Sequence, residues 1–102
     1  MKDDREIKPV RWIGSSRKDV RSFPQRVRFD IGQALFAAQS GETDPAAKPL
    51  KGFGGRSVME IVAPHAGDTW RAVYTVRFQD AVYAARLPEE VQDRHGHSEK
   101  RP

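Results

Sequence analysis

The chain has 102 residues, 37% of them hydrophobic and 31% charged, with a formal net charge of +4 and a pI near 9.8. A chain of this length reads as one domain that can bury a core unaided, and the absence of cysteine excludes a disulfide framework or a thiolate metal site. No apolar run approaches the roughly 20 residues a membrane-spanning helix needs, and the charged opening Met1–Glu6 is unlike a secretory signal, so a cytoplasmic location without membrane contact is expected.

In chain order, residues 1–7 read as a flexible leader. Lys8–Ile13 alternates loosely, with Val10 and Trp12 on one side, as a short first strand does. Gly14 ends it, and Ser15 or Ser16 can cap a short helix that runs to Phe23, with Asp19 favouring its first turn. Pro24 suits the first position of a second helix. There Val27, Ile31, Leu35 and Ala38 recur at helical spacing, and Gly41 is a natural stop. Residues 42–55 hold two prolines and three glycines and read as a loop. Loops this long are often functional.

Val58–Ala63 reads as a second strand, Pro64–Asp68 as a turn, Thr69–Phe78 as a third strand and Ala81 to about Ala85 as a fourth, after the short link Gln79–Asp80. The order β-α-α-β-β-β predicts a two-layer α+β fold. Its last three strands form an antiparallel meander, and the helix pair covers one face. In the third strand, alternation puts Trp70, Ala72, Tyr74, Val76 and Phe78 on the core side and Arg71, Val73, Thr75 and Arg77 on the other. Trp12, Ile31, Leu35, Trp70, Tyr74 and Val76 are the expected core.

The charge distribution points to anionic partners. From Arg5 to Arg28 eight Lys/Arg face only Glu6 and Asp19, a local balance of +6. Such a run is either a solvated helical face or a patch for phosphates or an acidic protein. Arg71 and Arg77, on one strand face about 20 Å apart, suit contacts to a phosphate backbone. Lys48 and Lys51 flank the Gly-rich stretch Lys48–Gly55. This stretch is not a nucleotide-binding P-loop, because it lacks the Gly-Lys-Ser/Thr ending and leads into a strand. His65 lies in a turn, and His95-Gly-His97 lies in a polar tail with no carboxylate or thiol placed to complete a metal set, so no metal or other cofactor is expected. Glu60 reads as a cross-strand partner for an arginine.

Four stretches together resemble a known family. Lys8-Pro-Val-Arg-Trp-Ile-Gly-Ser-Ser16, Lys48-Pro-Leu-Lys-Gly-Phe-Gly-Gly55, Val58-Met-Glu-Ile-Val62 and Trp70-Arg-Ala-Val-Tyr-Thr-Val-Arg-Phe78 resemble, in order, the phage-derived, HigB-like branch of the RelE toxin superfamily. The resemblance covers about residues 8–83. It implies a type II toxin, an mRNA interferase that cleaves mRNA on the ribosome without metal. Its expected partner is a small antitoxin, often of helix-turn-helix type. By position Arg71 matches the arginine of the family's aromatic-Arg-x-x-Tyr motif and becomes the catalytic candidate. Lys48 and Lys51 match the basic loop and, with Arg77, become RNA-binding candidates. A non-catalytic antitoxin-binding remnant and a gyrase-poisoning relative are the alternatives, since one fold hosts several activities.

Two departures accompany the resemblance. Val62 stands where many relatives have arginine. After Tyr83 the family continues with a basic Phe-Gln-Lys-Lys-Ser-Lys-type segment, whereas the residues after 84 carry four Lys/Arg and four Asp/Glu. Codons permitted for residues 84–102, read one base later, spell Leu-His-Ala-Phe-Gln-Lys-Lys-Ser-Lys. Residues 8–85 are accordingly read as the toxin domain, and 86–102 as a polar, disordered, atypical tail consistent with a shifted reading frame. An attenuated toxin is the expected outcome.

Overall fold

The computed structural model describes residues 7–51 and 58–90. Residues 1–6 of the leader, the glycines of the Lys48–Gly55 stretch, and residues 91–102 of the tail, with His95 and His97, lie outside those residues. The described chain runs β1 (Val10–Trp12), α1 (Ser16–Arg21), α2 (Gln25–Gln39), β2 (Ala47–Pro49), β3 (Met59–His65), β4 (Asp68–Thr75) and β5 (Val82–Glu90). The strands form one mixed sheet in the order β1-β5-β4-β3-β2. The α+β class and the helix pair preceding the meander are as expected from sequence. The short β2 is an addition inside the expected loop.

Each helix is bounded by its own sequence. Gly14, at φ 60°, turns the chain out of β1. Ser15 is the N-cap of α1, but its hydroxyl donates to Asp19 Oδ2 at 2.9 Å instead of receiving a backbone N–H. Pro24 stands at the N-cap of α2, one place earlier than the sequence suggests. At the other end Gly41 N–H bonds to Ala38 O and Glu42 N–H to Ala37 O, with Gly41 at φ 84°. This is the Schellman arrangement that glycine permits. Val27, Ile31, Ala34, Leu35 and Ala38 form the buried stripe of α2. They pack on Met59, Ile61, Ala63, Ala72, Tyr74, Val82 and Ala84 from the sheet.

β3 and β4 meet through Ala66-Gly67, both at positive φ (55° and 89°), the backbone a two-residue hairpin turn requires. β1 lies parallel to β5, with Val10 opposite Val82 and Trp12 opposite Ala84. The C-terminal end of α2 is tied to the entry of β1, because Gln39 Nε2 donates to Lys8 O at 2.6 Å.

Two expectations about strand length are corrected. β4 stops at Thr75, so Val76 (41% exposed) and Phe78 (49%) leave the core face. The cause is the register. β3 supplies partners for β4 only as far as Tyr74, and β5 only as far as Thr75. Arg77 N–H then turns back to Thr75 Oγ1 at 3.3 Å. Trp12 and Trp70 are half-buried at the rim of the core, while Ile31, Leu35 and Tyr74 are buried within it.

The second correction concerns β5, which continues past Ala85 to Glu90. Arg86 fastens it to α1: its backbone N–H donates to the buried Ser16 Oγ at 3.0 Å, and its guanidinium lies 3.8 Å from Asp19 and 5.8 Å from the centre of the Phe23 ring. The register with β4 shifts between Thr69 and Arg71, opposite the segment holding Pro88. A bulge of this kind accommodates a residue that has no N–H.

Candidate nucleic-acid interface

Both helices pack on one side of the sheet. Alternation along the strands therefore assigns the opposite face its own set of residues. From β1 to β2 these are Arg11, then Tyr83, Ala85 and Leu87, then Arg71, Val73 and Thr75, then Glu60 and Val62, then Lys48. No described helix covers this face.

Arg71 is 28% exposed at its side chain, and its Nε donates to Glu60 Oε2 at 2.7 Å. Val62 is its direct partner across β3–β4, so Glu60 is reached diagonally. Lys48 stands directly opposite Glu60 on β2. The carboxylate is thus placed between two cationic strand positions, as expected of Glu60. An arginine has five N–H donors in a planar fork. Pairing through Nε fixes the orientation of that fork on the sheet.

The other two sequence candidates lie at the margins. Lys51 is exposed in the turn after β2. Arg77 does not share a strand with Arg71: it is exposed in the 76–81 connection, with its guanidinium 5.9 Å from the centre of the Phe78 ring. The structure brings Lys48 and Arg71 to one face and places Arg77 beyond the end of β4.

A second group on this face went unread in the sequence. Tyr83 is flanked by Arg11 on β1 and Thr75 on β4. Its hydroxyl donates to Asp80 Oδ2 at 3.0 Å, and its ring meets Phe78 edge-to-face at 5.3 Å. The hydrogen bond to Asp80 raises the Tyr83 phenol above its ordinary pKa of 10.0, with Arg11 acting in the opposite direction. Alternation through residue 78 places Phe78 on the core side, whereas β4 ends at Thr75. The parallel pairing of β1 with β5, which brings Arg11 beside Tyr83, leaves no local signal in the sequence.

Elsewhere, a cleft of about 360 Å³ opens beside the C-terminal end of α2, lined by Lys8, Gln39, Glu42, Met59, Tyr74 and Val76. It borders the core face and is distinct from the Arg71 face. On the outer side of α2, Phe29 and Phe36 are 57% and 56% exposed, seven residues apart and hence on one side of the helix. Phe29 also borders a shallow cleft that reaches Asp44 and Pro64. Among the described residues no cluster of three or more His, Asp or Glu could hold a metal ion, and no helix is long and apolar enough to cross a membrane.

A family model described as "Phage derived protein Gp49-like (DUF891)" matches residues 18–89. The match takes in α1 from Lys18 onward, α2, β2–β4 and β5 through Glu89, including the continuation of β5 beyond Ala85. No curated protein and no solved structure gives a significant match.

Proposed function

The chain belongs to the Gp49-like family of phage-derived proteins, and from that membership we propose that it is the toxin of a toxin–antitoxin pair, an attenuated, metal-independent endoribonuclease acting on mRNA at the ribosome. The observation that carries this reading is the sheet face with Arg71 and Lys48 around Glu60. Cleavage of this type needs no metal. A ribose 2′-hydroxyl attacks the adjacent phosphorus, the P–O5′ bond breaks, and the proton lost from the hydroxyl is balanced by one gained on the departing 5′ oxygen. The products are a cyclic 2′,3′-phosphate and a free 5′-hydroxyl. Negative charge grows on the phosphoryl oxygens in the transition state, and a preorganised guanidinium stabilises it there. Arg71 has this role, and Lys48, Lys51 and Arg77 hold the flanking phosphates.

The antitoxin, in this reading, covers the toxin with helical segments. Phe29 and Phe36 offer α2 as one docking face. Arg26, whose guanidinium lies 5.8 Å from the centre of the Phe29 ring, and the exposed Arg17, Lys18 and Arg21 of α1 favour a partner with acidic residues.

The second reading, a non-catalytic antitoxin-binding remnant, draws support from the same ion pair. A guanidinium held by Glu60 at 2.7 Å also serves the sheet alone. Growth arrest and thermal stability measured together on Arg71→Ala and Arg71→Lys separate the two. These variants are made in a chain whose frame is restored after Tyr83, so that arrest is strong enough to score. Loss of arrest at unchanged melting temperature supports catalysis, and parallel loss of both removes Arg71 from the site. A DNA-damage response in place of translation arrest identifies a gyrase poison.

A further inference from the structure

We propose that Phe78 and Tyr83, with Arg11 and Arg77, form a nucleobase-stacking subsite for single-stranded RNA at the β1–β5–β4 end of the open sheet face. The inference rests on the RNA-directed reading above and adds to it a place where bases, not only phosphates, are held.

The observations concern exposure and neighbours. Phe78 is 49% exposed beyond the end of β4. Its contact with Tyr83 is edge-to-face, at 5.3 Å and 74°, an arrangement that leaves aromatic surface uncovered. Arg77 lies 5.9 Å from the centre of the Phe78 ring, and Lys8 Nζ donates to Phe78 O at 3.4 Å. Arg11 is exposed on the strand position opposite Tyr83. Two rings are thus surrounded by three cations at the rim of a sheet.

That combination suits single-stranded nucleic acid. Every base has a flat π-face that stacks on an aromatic ring, and the phosphates beside it seek cations. The nearby carboxylate, Asp80, accepts the Tyr83 hydroxyl. Its repulsion of phosphates directs the backbone toward Arg11 and Arg77, away from the phenol. Tyr83 is opposite Thr75, four residues along β4 from Arg71. The separation is about 13 Å at the rise of a strand, a span that a few extended nucleotides bridge. A base stacked on Phe78 would therefore set which phosphate reaches Arg71.

The test uses the full 102-residue chain and two fluorescent probes, a short single-stranded oligoribonucleotide and the same backbone with every base removed. Anisotropy at low salt should show preference for the base-bearing strand. Phe78→Ala should weaken binding to that strand roughly tenfold, as loss of one stacked base does, and leave the abasic strand almost unaffected. Phe78→Trp should retain the preference. Arg71→Ala should weaken both probes alike. Because Phe78 is outside the core, an unchanged melting curve accompanies the loss.

Equal affinity of the wild type for both probes, no binding to either, or Phe78→Ala within about twofold of wild type on the base-bearing strand overturns the subsite. The last result would be expected if the aromatic patch instead serves a protein partner. Translation arrest is scored separately, in the chain whose frame is restored after Tyr83, because the 102-residue chain is expected to arrest weakly or not at all. Arrest with Phe78-independent binding overturns the subsite alone, and Phe78-dependent binding without arrest overturns the cleavage reading alone.

Discussion

At the scale of single residues, the Arg71–Glu60 pair ties β4 to β3, and the proposed function draws on the same guanidinium. The pair is partly shielded, with side chains 28% and 16% exposed. Its coupling energy in a double-mutant cycle with Glu60→Gln and Arg71→Gln should be about 1 kcal/mol, the upper end for surface pairs. Lysine cannot reproduce a planar fork, so Arg71→Lys should already diminish RNA cleavage in the frame-restored chain. Tyr83 offers a second residue-scale measurement. Its phenol is raised because ionisation would place two negative charges on the hydrogen bond to Asp80. Asp80→Asn should therefore lower the Tyr83 pKa, as seen by ultraviolet titration against a Tyr83→Phe control. The sign for stability follows: a raised phenol favours the folded state below the unfolded pKa, and that benefit is lost as pH climbs through the folded one. Near neutral pH that benefit is fully present, so the substitution should lower the melting temperature slightly by this route, and the difference should shrink as pH climbs through the folded pKa.

At the scale of elements, α2 was the most legible. Its apolar positions 27, 31, 35 and 38 are all buried, and Gly41 lies just beyond its end at positive φ. Ile31 is 1% exposed, so Ile31→Ala should cost about 2–5 kcal/mol in denaturant unfolding. The β3–β4 turn is strained at Ala66, an L-residue at φ 55°. Ala66→Asn should raise stability by up to about 1 kcal/mol, because asparagine tolerates this region better. Strand ends were less legible. The alternation from Trp70 to Phe78 is unbroken in the sequence, yet β4 stops at Thr75, where its neighbours stop. Strand length is a property of pairing, and pairing is not local. The same reason hid β2, whose three residues exist as a strand only beside β3, and the edge β1–β5 that brings Arg11 to Tyr83. Of the site, the basic positions were readable as residue types, and the salt bridge to Glu60 was anticipated. The aromatic cluster was not, because Phe78 looked like core.

At the scale of the whole molecule, the helices shield one side of the sheet and leave a face that carries cations, in a chain of net charge +4. RNA binding should consequently weaken steeply with added salt, as phosphate contacts do. The segment after Tyr83 departs most from the family resemblance, although the family match itself runs to residue 89. Since the residues after 84 contribute no net charge, the chain as it stands should arrest growth weakly or not at all on induced expression. Robust toxicity would remove the attenuation argument. The gene decides the frame directly: a reading one base later that lacks Phe-Gln-Lys-Lys ends that explanation.

The parallel pairing of Val10–Trp12 with Val82–Ala84 has a consequence in time. β5 is made roughly 70 residues after β1, and at roughly 5–20 residues per second the wait lasts several seconds. Until then the backbone of β1 lacks its hydrogen-bonded neighbour, and Arg11 and Tyr83 cannot meet. Closing so long a loop is slow compared with forming α2. The sheet edge is therefore a late event in folding, and a nascent chain has its helices before it has its complete open face. A partner that recognises α2 could engage the newborn protein before the surface proposed for RNA exists.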